Sequence, residues 1–197
     1  MPWSALSPWL FWFTFTGTAG HRLSLEQTGP FNCFTALTYI LDPNGATVAS
    51  TCGGYFLDAT SPLATTGTYT VLIDPRDANH ASTTLTLHDL PADASGSTTI
   101  GGAGVPLAMN TPGQNGLVTF PGAAQQVVTV HVTSNSVGRG TLTLKTSGGQ
   151  QVGATAWLGA GDVTLANQTL PVADTYQIAV DPYDVNTGSL TVSVTSP

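Results

Sequence analysis

The sequence has few charged residues. Asp, Glu, Lys and Arg make up 8% of the 197 residues, against roughly a quarter in an ordinary soluble protein. There is one lysine, Lys145, and one glutamate, Glu26. Because exposed helix surfaces use Lys and Glu heavily, this scarcity argues against a helical protein. The formal net charge is −7 and the four basic residues are scattered, so the clustered Lys and Arg of a nucleic-acid-binding surface are missing.

Long apolar runs are also lacking. No stretch approaches the roughly 20 apolar residues of a membrane-spanning helix, so no membrane span is expected. The apolar residues 9–13 resemble the core of a signal peptide, but no Lys or Arg precedes them. Residues 1–15 are therefore either a core strand or the remnant of a signal, and the internal repeat described below favours a strand.

The residues that are abundant favour β-structure. The chain contains 32 Thr, 22 Gly and 13 Pro. Threonine is β-branched and suits a half-exposed strand, and Gly and Pro mark turns. Polar and apolar residues alternate with a period of two in residues 68–74, 127–133, 141–144 and 188–194. This alternation is typical of antiparallel strands with one buried face and predicts an all-β sandwich or jelly roll.

The sequence contains an internal repeat. Residues 15–19 match residues 120–124, and the segment at 74–79, DPRDAN, matches DPYDVN at 181–186. Between these matches, Tyr69 corresponds to Tyr176. The repeat predicts two tandem antiparallel β-sandwich (jelly-roll-like) domains, copy one at 1–91 and copy two at 92–197.

The two copies differ at their starts. Copy two is preceded by residues 91–115, which contain strand candidates at 97–100 and 105–109. Copy one has no comparable segment, so we expect it to lack its opening strands. An unpaired sheet edge recruits other chains, so edge-strand self-association through copy one is a possible partner interaction.

Three segments, at 15–20, 41–45 and 67–75, resemble the bacterial pre-peptidase C-terminal type of β-sandwich. The stretch also looks like tandem Thr-rich arrays of long secreted or surface proteins, including YD-repeat proteins. Copy two departs from the pattern at two places: Ser-Gly-Gly at 147–149 replaces the Asp-Pro-Asn-Gly hairpin tip, and Asp174 replaces Gly67. The resemblance implies a non-catalytic accessory domain that is extracellular or at the cell surface of a bacterium, and it implies no cofactor.

Cys33 and Cys52 are the only cysteines. If residues 36–41 and 46–51 form a hairpin, position 52 faces position 35, and Cys33 lies two residues away on the same face. An isolated pair in a chain that looks exported favours a disulfide, and the alternative is two buried free thiols.

Two further groups of residues are candidates for binding. Asp181, Asp184 and Asn186 offer oxygen ligands that suit calcium, but Asp and Asn also stabilise turns, and we favour a turn without metal. The other group is aromatic: Trp157 and Tyr183, together with Trp3, Trp9, Trp12 and Tyr55, could form a platform for a sugar. Trp157 lies in a Gly-rich stretch and is the most available of the tryptophans, although large aromatic residues are more often buried.

We expect no catalytic residues. The four histidines are dispersed, and no nucleophile elbow, phosphate loop or metalloprotease motif is present. The leading hypothesis is therefore a structural or spacer module that is not an enzyme. The alternative is a module that binds polysaccharide or another surface polymer.

Overall fold

The computed structural model describes residues 10–59, 61–76 and 81–197, and these residues form an all-β structure. The chain divides into two units, Met1–Pro91 and Ala92–Pro197, each with its own hydrophobic core. Within the described ranges there are sixteen strands and no helix that could cross a membrane. The sandwich architecture predicted from the sequence is confirmed.

Unit 1 contains seven strands among its described residues: β1 (Phe11–Gly17), β2 (Arg22–Thr28), β3 (Ala36–Leu41), β4 (Thr47–Cys52), β5 (Leu57–Ala59), β6 (Gly67–Pro75) and β7 (Thr84–Leu90). They form a four-stranded sheet in the order β1–β6–β3–β4 and a three-stranded sheet in the order β5–β2–β7. All pairs are antiparallel. Alternate residues of β3 are buried, as the period-two pattern requires, and the core includes Leu25, Ile40 and Tyr69.

Unit 2 contains nine strands: β8 (Ala94–Ser97), β9 (Val105–Met109), β10 (Gly116–Gly122), β11 (Val127–Thr133), β12 (Gly140–Lys145), β13 (Gln151–Leu158), β14 (Val163–Thr169), β15 (Asp174–Pro182) and β16 (Gly188–Thr195). A five-stranded sheet has the order β13–β12–β15–β10–β8, and a four-stranded sheet has the order β14–β11–β16–β9. Both sheets contribute to one core, which includes Val118, Val130, Leu142, Ile178 and Val192.

The two units share the same interior contacts. Phe15 stacks on Tyr69 with ring centroids 5.6 Å apart, and Phe120 stacks on Tyr176 with centroids 5.7 Å apart. In each pair the two residues are directly opposed on neighbouring strands, which are β1 and β6 in unit 1 and the equivalent strands β10 and β15 in unit 2. The tyrosines and phenylalanines therefore occupy equivalent places, as the repeat predicts.

The hydroxyl groups of the two tyrosines also have equivalent partners. Tyr69 Oη donates a hydrogen bond of 2.7 Å to the carbonyl oxygen of Thr65, and Tyr176 Oη donates one of 2.7 Å to that of Val172. Each tyrosine thus buries its ring in the core and ties down the loop four residues before it.

A segment that we call the unit 2 arm, residues 92–109, covers one edge of each sheet of unit 2. Its strand β8 is parallel to β10, and its strand β9 is antiparallel to β16. The parallel pair departs from the predicted antiparallel sandwich, because the arm crosses from one sheet to the other between its two strands. No described residue of unit 1 forms a counterpart of β8 or β9.

The first strand of the arm lies earlier than predicted. The expectation of a strand at 97–100 is wrong, because β8 ends at Ser97 and the chain then turns. Thr98 Oγ1 donates a 2.7 Å hydrogen bond to Ala103 O, and Gly102 N–H donates one of 2.9 Å to Thr99 O. These bonds close the turn, whereas the second predicted strand, at 105–109, coincides with β9.

Candidate functional site

An exposed aromatic pair lies on the outer face of the five-stranded sheet of unit 2. The ring centroids of Trp157, on β13, and Tyr183, just after β15, are 5.7 Å apart with planes tilted by 52°. Trp157 is 66% exposed, and Tyr183 is half-buried. Trp157 pairs with Thr141 on β12, and Thr141 pairs with Asp181 on β15. The structure therefore brings Trp157 and Tyr183 together, two of the residues from which the sequence predicted a possible aromatic platform.

The turn at 181–186 holds Tyr183 in place. Its backbone N–H donates a 2.9 Å hydrogen bond to the carbonyl oxygen of Arg139. Its own carbonyl oxygen accepts hydrogen bonds from Asn186, at 3.0 Å from the backbone N–H and 2.6 Å from Nδ2. Asp184 has φ of 52°, a left-handed conformation that Asp tolerates better than most residues. Asn186 thus bonds the backbone of its own turn.

The structure shows no cluster of three or more His, Cys, Asp or Glu side chains at this turn. No group of three or more His, Cys, Asp or Glu side chains that could hold a metal ion occurs in the part of the chain that the structure describes. In copy one, Asp77 and Asn79 lie outside the described residues, so the equivalent turn cannot be compared. The interpretation of 181–186 as a turn without metal stays a prediction.

A cleft of about 250 Å³ opens on the same outer face, and we call it the outer cleft. Its polar lining residues are Asp93, Asn115, Thr143, Lys145, Gln177 and Asp181. Directly opposed residues on neighbouring strands lie about 5 Å apart. Because Asp181 lines the cleft and faces Trp157 across Thr141, the cleft and the aromatic pair form one continuous surface.

The outer cleft offers both hydrogen-bond acceptors and donors. Asn115 N–H donates a 3.2 Å hydrogen bond to Asp93 Oδ1, but Asn115 Oδ1 is buried and accepts no hydrogen bond from any described residue. Desolvation raises the pKa of Asp181; the negative charge of Asp93 adds to this effect and Lys145 opposes it. Lys145 and Gln177 supply donors. Such a mixed, nearly balanced lining suits a neutral ligand that carries hydroxyl groups.

Unit 1 has no such aromatic pair at the equivalent position. Cys52 faces Leu37 across β3 and β4 in the same register in which Trp157 faces Thr141. Arg76 follows β6 where Tyr183 follows β15. The platform is therefore specific to unit 2.

Cys33 and Cys52 form the predicted disulfide, with Cα atoms 4.4 Å apart. The expected pairing of position 52 with position 35 is wrong, because the hairpin register shifts near its tip and Cys52 faces Leu37. Cys33 lies in a turn before β3, in which Asn32 O accepts 3.0 Å hydrogen bonds from the backbone N–H groups of Thr35 and Ala36. This turn brings Cys33 to the end of β4.

Comparisons with known proteins place the chain in no family. No family model matches it, and no curated protein matches it. Among solved structures, it is similar to the pre-peptidase C-terminal domain of a collagenase from Bacillus anthracis, with 16% identity, coverage of 53% of this chain and 97% of that one, and a TM-score of 0.42. It is also similar to PliG, a periplasmic inhibitor of g-type lysozyme from Aeromonas hydrophila, with 23% identity, coverage of 52% and 99%, and a TM-score of 0.35.

A third similar structure is the CUB1-EGF-CUB2 region of human MASP-1/3, with 9% identity, coverage of 98% of this chain and 94% of that one, and a TM-score of 0.27. Likenesses this distant show neither a family nor a function. The resemblance to the pre-peptidase C-terminal type, and the link to tandem arrays and YD-repeat proteins, therefore stay predictions.

Apart from Asp181, which the sequence offered as a candidate metal ligand, the polar residues of the outer cleft were missed by sequence reasoning. Asp93 and Asn115 precede β10, Lys145 ends β12, and Gln177 lies on β15. No local pattern joins residues so far apart in the chain, and only the order of the strands brings them together. The one signal in the sequence was that Lys145 is the only lysine.

Proposed function

We propose that this chain is a non-catalytic structural module of an exported protein, located outside the cell or at its surface. The proposal rests on a comparison of the two units, which share their core contacts but differ in their outward-facing residues. Both keep the phenylalanine–tyrosine stack and the tyrosine hydroxyl bond to the preceding loop. Both change the outward positions, where Cys52 corresponds to Trp157. A repeat that preserves its core and varies its surface meets the needs of a stable spacer.

The disulfide supports the location. Disulfides form and persist in oxidising compartments, which include the periplasm and the extracellular space.

Two measurements on the full chain test this proposal. In the cell that produces it, we expect the chain in the exported fraction with Cys33 and Cys52 unreactive to iodoacetamide until a reductant is added. A reduced chain retained in the cytoplasm would contradict the location. We also expect no turnover on a broad panel of hydrolase substrates, and turnover that a single substitution removes would contradict the non-catalytic role.

A second candidate function is binding of polysaccharide or another surface polymer through unit 2. The exposed pair Trp157 and Tyr183 beside the outer cleft favours it, because an aromatic face packs on the apolar face of a sugar ring. The hydroxyl groups of the sugar would then reach the carboxyl group of Asp181 in the outer cleft.

A glycan array and affinity electrophoresis with soluble polysaccharides test this candidate. If unit 2 binds sugar, Trp157→Ala weakens binding about tenfold, the equivalent of 1.4 kcal/mol. The matched control is Trp12→Ala, because Trp12 is 67% exposed but lies in unit 1. Equal loss in both variants, or binding that neither variant affects, would exclude the aromatic pair as the platform. Absence of binding to any polymer would leave the spacer role alone.

A further inference from the structure

Strand β1 of unit 1 exposes apolar side chains at positions that are buried in unit 2. Strand β1 pairs with β6 in the same register in which β10 pairs with β15, which matches Phe11 with Gly116 and Phe13 with Val118. Val118 is fully buried, whereas Phe13 is 49% exposed and Phe11 is 38% exposed. These side chains point to the core side of the sheet, yet no residue that the structure describes covers them as Val118 is covered.

The other sheet of unit 1 shows the same difference on β7. Leu87 on β7 corresponds to Val194 on β16. Each of the two faces the equivalent residue of its neighbouring strand, which is β2 in unit 1 and β11 in unit 2. Val194 is fully buried and Leu87 is 36% exposed. The incomplete burial of unit 1 therefore extends over both sheets at one edge of the sandwich.

A groove lies between these two strands in unit 1. It has a volume of about 140 Å³ and is lined by Phe15, Leu23 and Leu87, with His21 and Asp89 at its rim. At the rim, the carboxylate oxygens Oδ1 and Oδ2 of Asp89 accept hydrogen bonds of 2.9 and 3.0 Å from His21 Nδ1. The apolar side chains of Phe15, Leu23 and Leu87 lie beside the polar residues Thr16, Thr18, His21 and Asp89, so the groove suits a segment in which apolar and polar residues alternate.

In unit 2, the arm lies over the positions that correspond to this part of unit 1. A Cβ added to Gly116 would lie 2.8 Å from Leu107 Cδ1 and 3.1 Å from Met109 Sδ, so β9 lies directly over the position that corresponds to Phe11. Gly101 N–H donates a 2.8 Å hydrogen bond to Val194 O, the position that corresponds to Leu87. The unit 2 arm therefore covers the counterparts of the residues that unit 1 exposes.

We propose that unit 1 is an acceptor for a β-arm, a polypeptide segment with two short extended stretches that resembles the unit 2 arm. The segment adds backbone hydrogen bonds along β1 and β7 and places alternate apolar side chains in the groove. It carries small residues where the unit 2 arm has Leu107 and Met109, because Phe11 occupies space that Gly116 leaves open. This inference does not depend on the proposed function.

The experiment uses the full chain and synthetic peptides of residues 92–110 with a fluorescent label. The first peptide has the native sequence, and the second carries Leu107→Ala and Met109→Ala. The third carries these two changes together with Ile100→Asp and Val105→Asp, because Ile100 and Val105 pack on the core of unit 2. We expect the second peptide to bind best and the third to bind about tenfold more weakly or worse.

Hydrogen exchange of the complex locates the bound peptide. We expect new protection in β1 and β7, because the arm of unit 2 already covers β10 and β16. Protection confined to unit 2 would overturn the proposal, since the peptide would then only be replacing the native arm.

Substitutions in the chain give a reciprocal test. Leu87→Asp weakens binding of the second peptide about tenfold, and the matched control Val172→Asp, at an exposed apolar position of unit 2, leaves it unchanged. Phe11→Gly makes unit 1 resemble unit 2, so it reverses the preference and the native peptide binds better than the second peptide. No reversal, or equal binding of all three peptides, would refute the arm. A concentration-dependent dimer that the second peptide does not dissociate would show that a second copy fills the groove instead.

Discussion

The two units bury their first-sheet residues unequally. We therefore predict that truncating a small side chain in unit 2 costs more stability than truncating a large one in unit 1. Val118 and Phe13 occupy equivalent places, but the valine is fully buried and the larger phenylalanine is about half exposed. Val118→Ala removes two buried carbon atoms, which costs about 1.6 kcal/mol of transfer free energy at about 0.8 kcal/mol each, and leaves a cavity. We expect a total loss of about 2 to 3 kcal/mol from the unfolding free energy of unit 2.

Phe13→Ala removes a whole ring, which in a core costs about 3 to 5 kcal/mol. Because half of this ring already contacts water, we expect a loss of about 1 kcal/mol or less from unit 1. The measurement is urea unfolding of the full chain, with hydrogen exchange followed separately in β6 for unit 1 and β15 for unit 2. Val172→Ala, at an exposed position, is the control and changes stability by less than about 0.5 kcal/mol. A larger loss for Phe13→Ala than for Val118→Ala would mean that the ring is covered in solution, and the open groove would be wrong.

Three further predictions follow from the site and the disulfide. Replacing both Cys33 and Cys52 with Ala lowers the unfolding free energy of unit 1 by about 3 kcal/mol and leaves unit 2 unchanged, as seen by the same exchange measurement. Asp181 has a folded-state pKa above 3.8, so its ionisation opposes folding; Asp181→Asn therefore stabilises unit 2 at neutral pH, and the gain disappears in melts below about pH 4. Millimolar calcium and EDTA give the same melting temperature, and a calcium-dependent rise that Asp184→Ala abolishes would contradict the metal-free turn.

The parts of the fold that could be predicted are those that local sequence patterns and the repeat determine. Strand β11 coincides with the predicted strand at 127–133, because its alternation of apolar and polar residues extends along the whole strand. The places of Tyr69 and Tyr176 followed from the repeat, since equal residues at equal spacing fold against equal neighbours.

Features decided by pairing between distant segments could not be predicted in the same way. The residues of β8, Ala94–Ser97, have no alternation, and they form a strand because the edge of β10 accepts them. The contact between Trp157 and Tyr183 depends on β12 lying between β13 and β15, which the sequence does not show. The outer cleft depends on the same strand order. The aromatic residues of the candidate site were therefore predictable from the sequence, but their position beside the outer cleft was not.

The disulfide and the arm occur in different units, and this distribution has an energetic explanation. In unit 2 the arm buries Leu107 and Met109, and each such side chain contributes about 1.5 to 3 kcal/mol when it leaves water. Unit 1 shows no described counterpart of these strands, but it has the Cys33–Cys52 bond, whose contribution of about 3 kcal/mol is of the same order. The cross-link therefore offsets part of the burial that unit 1 lacks, and it does so without covering the groove. A unit stabilised in this way can remain folded while its edge stays open to a partner strand.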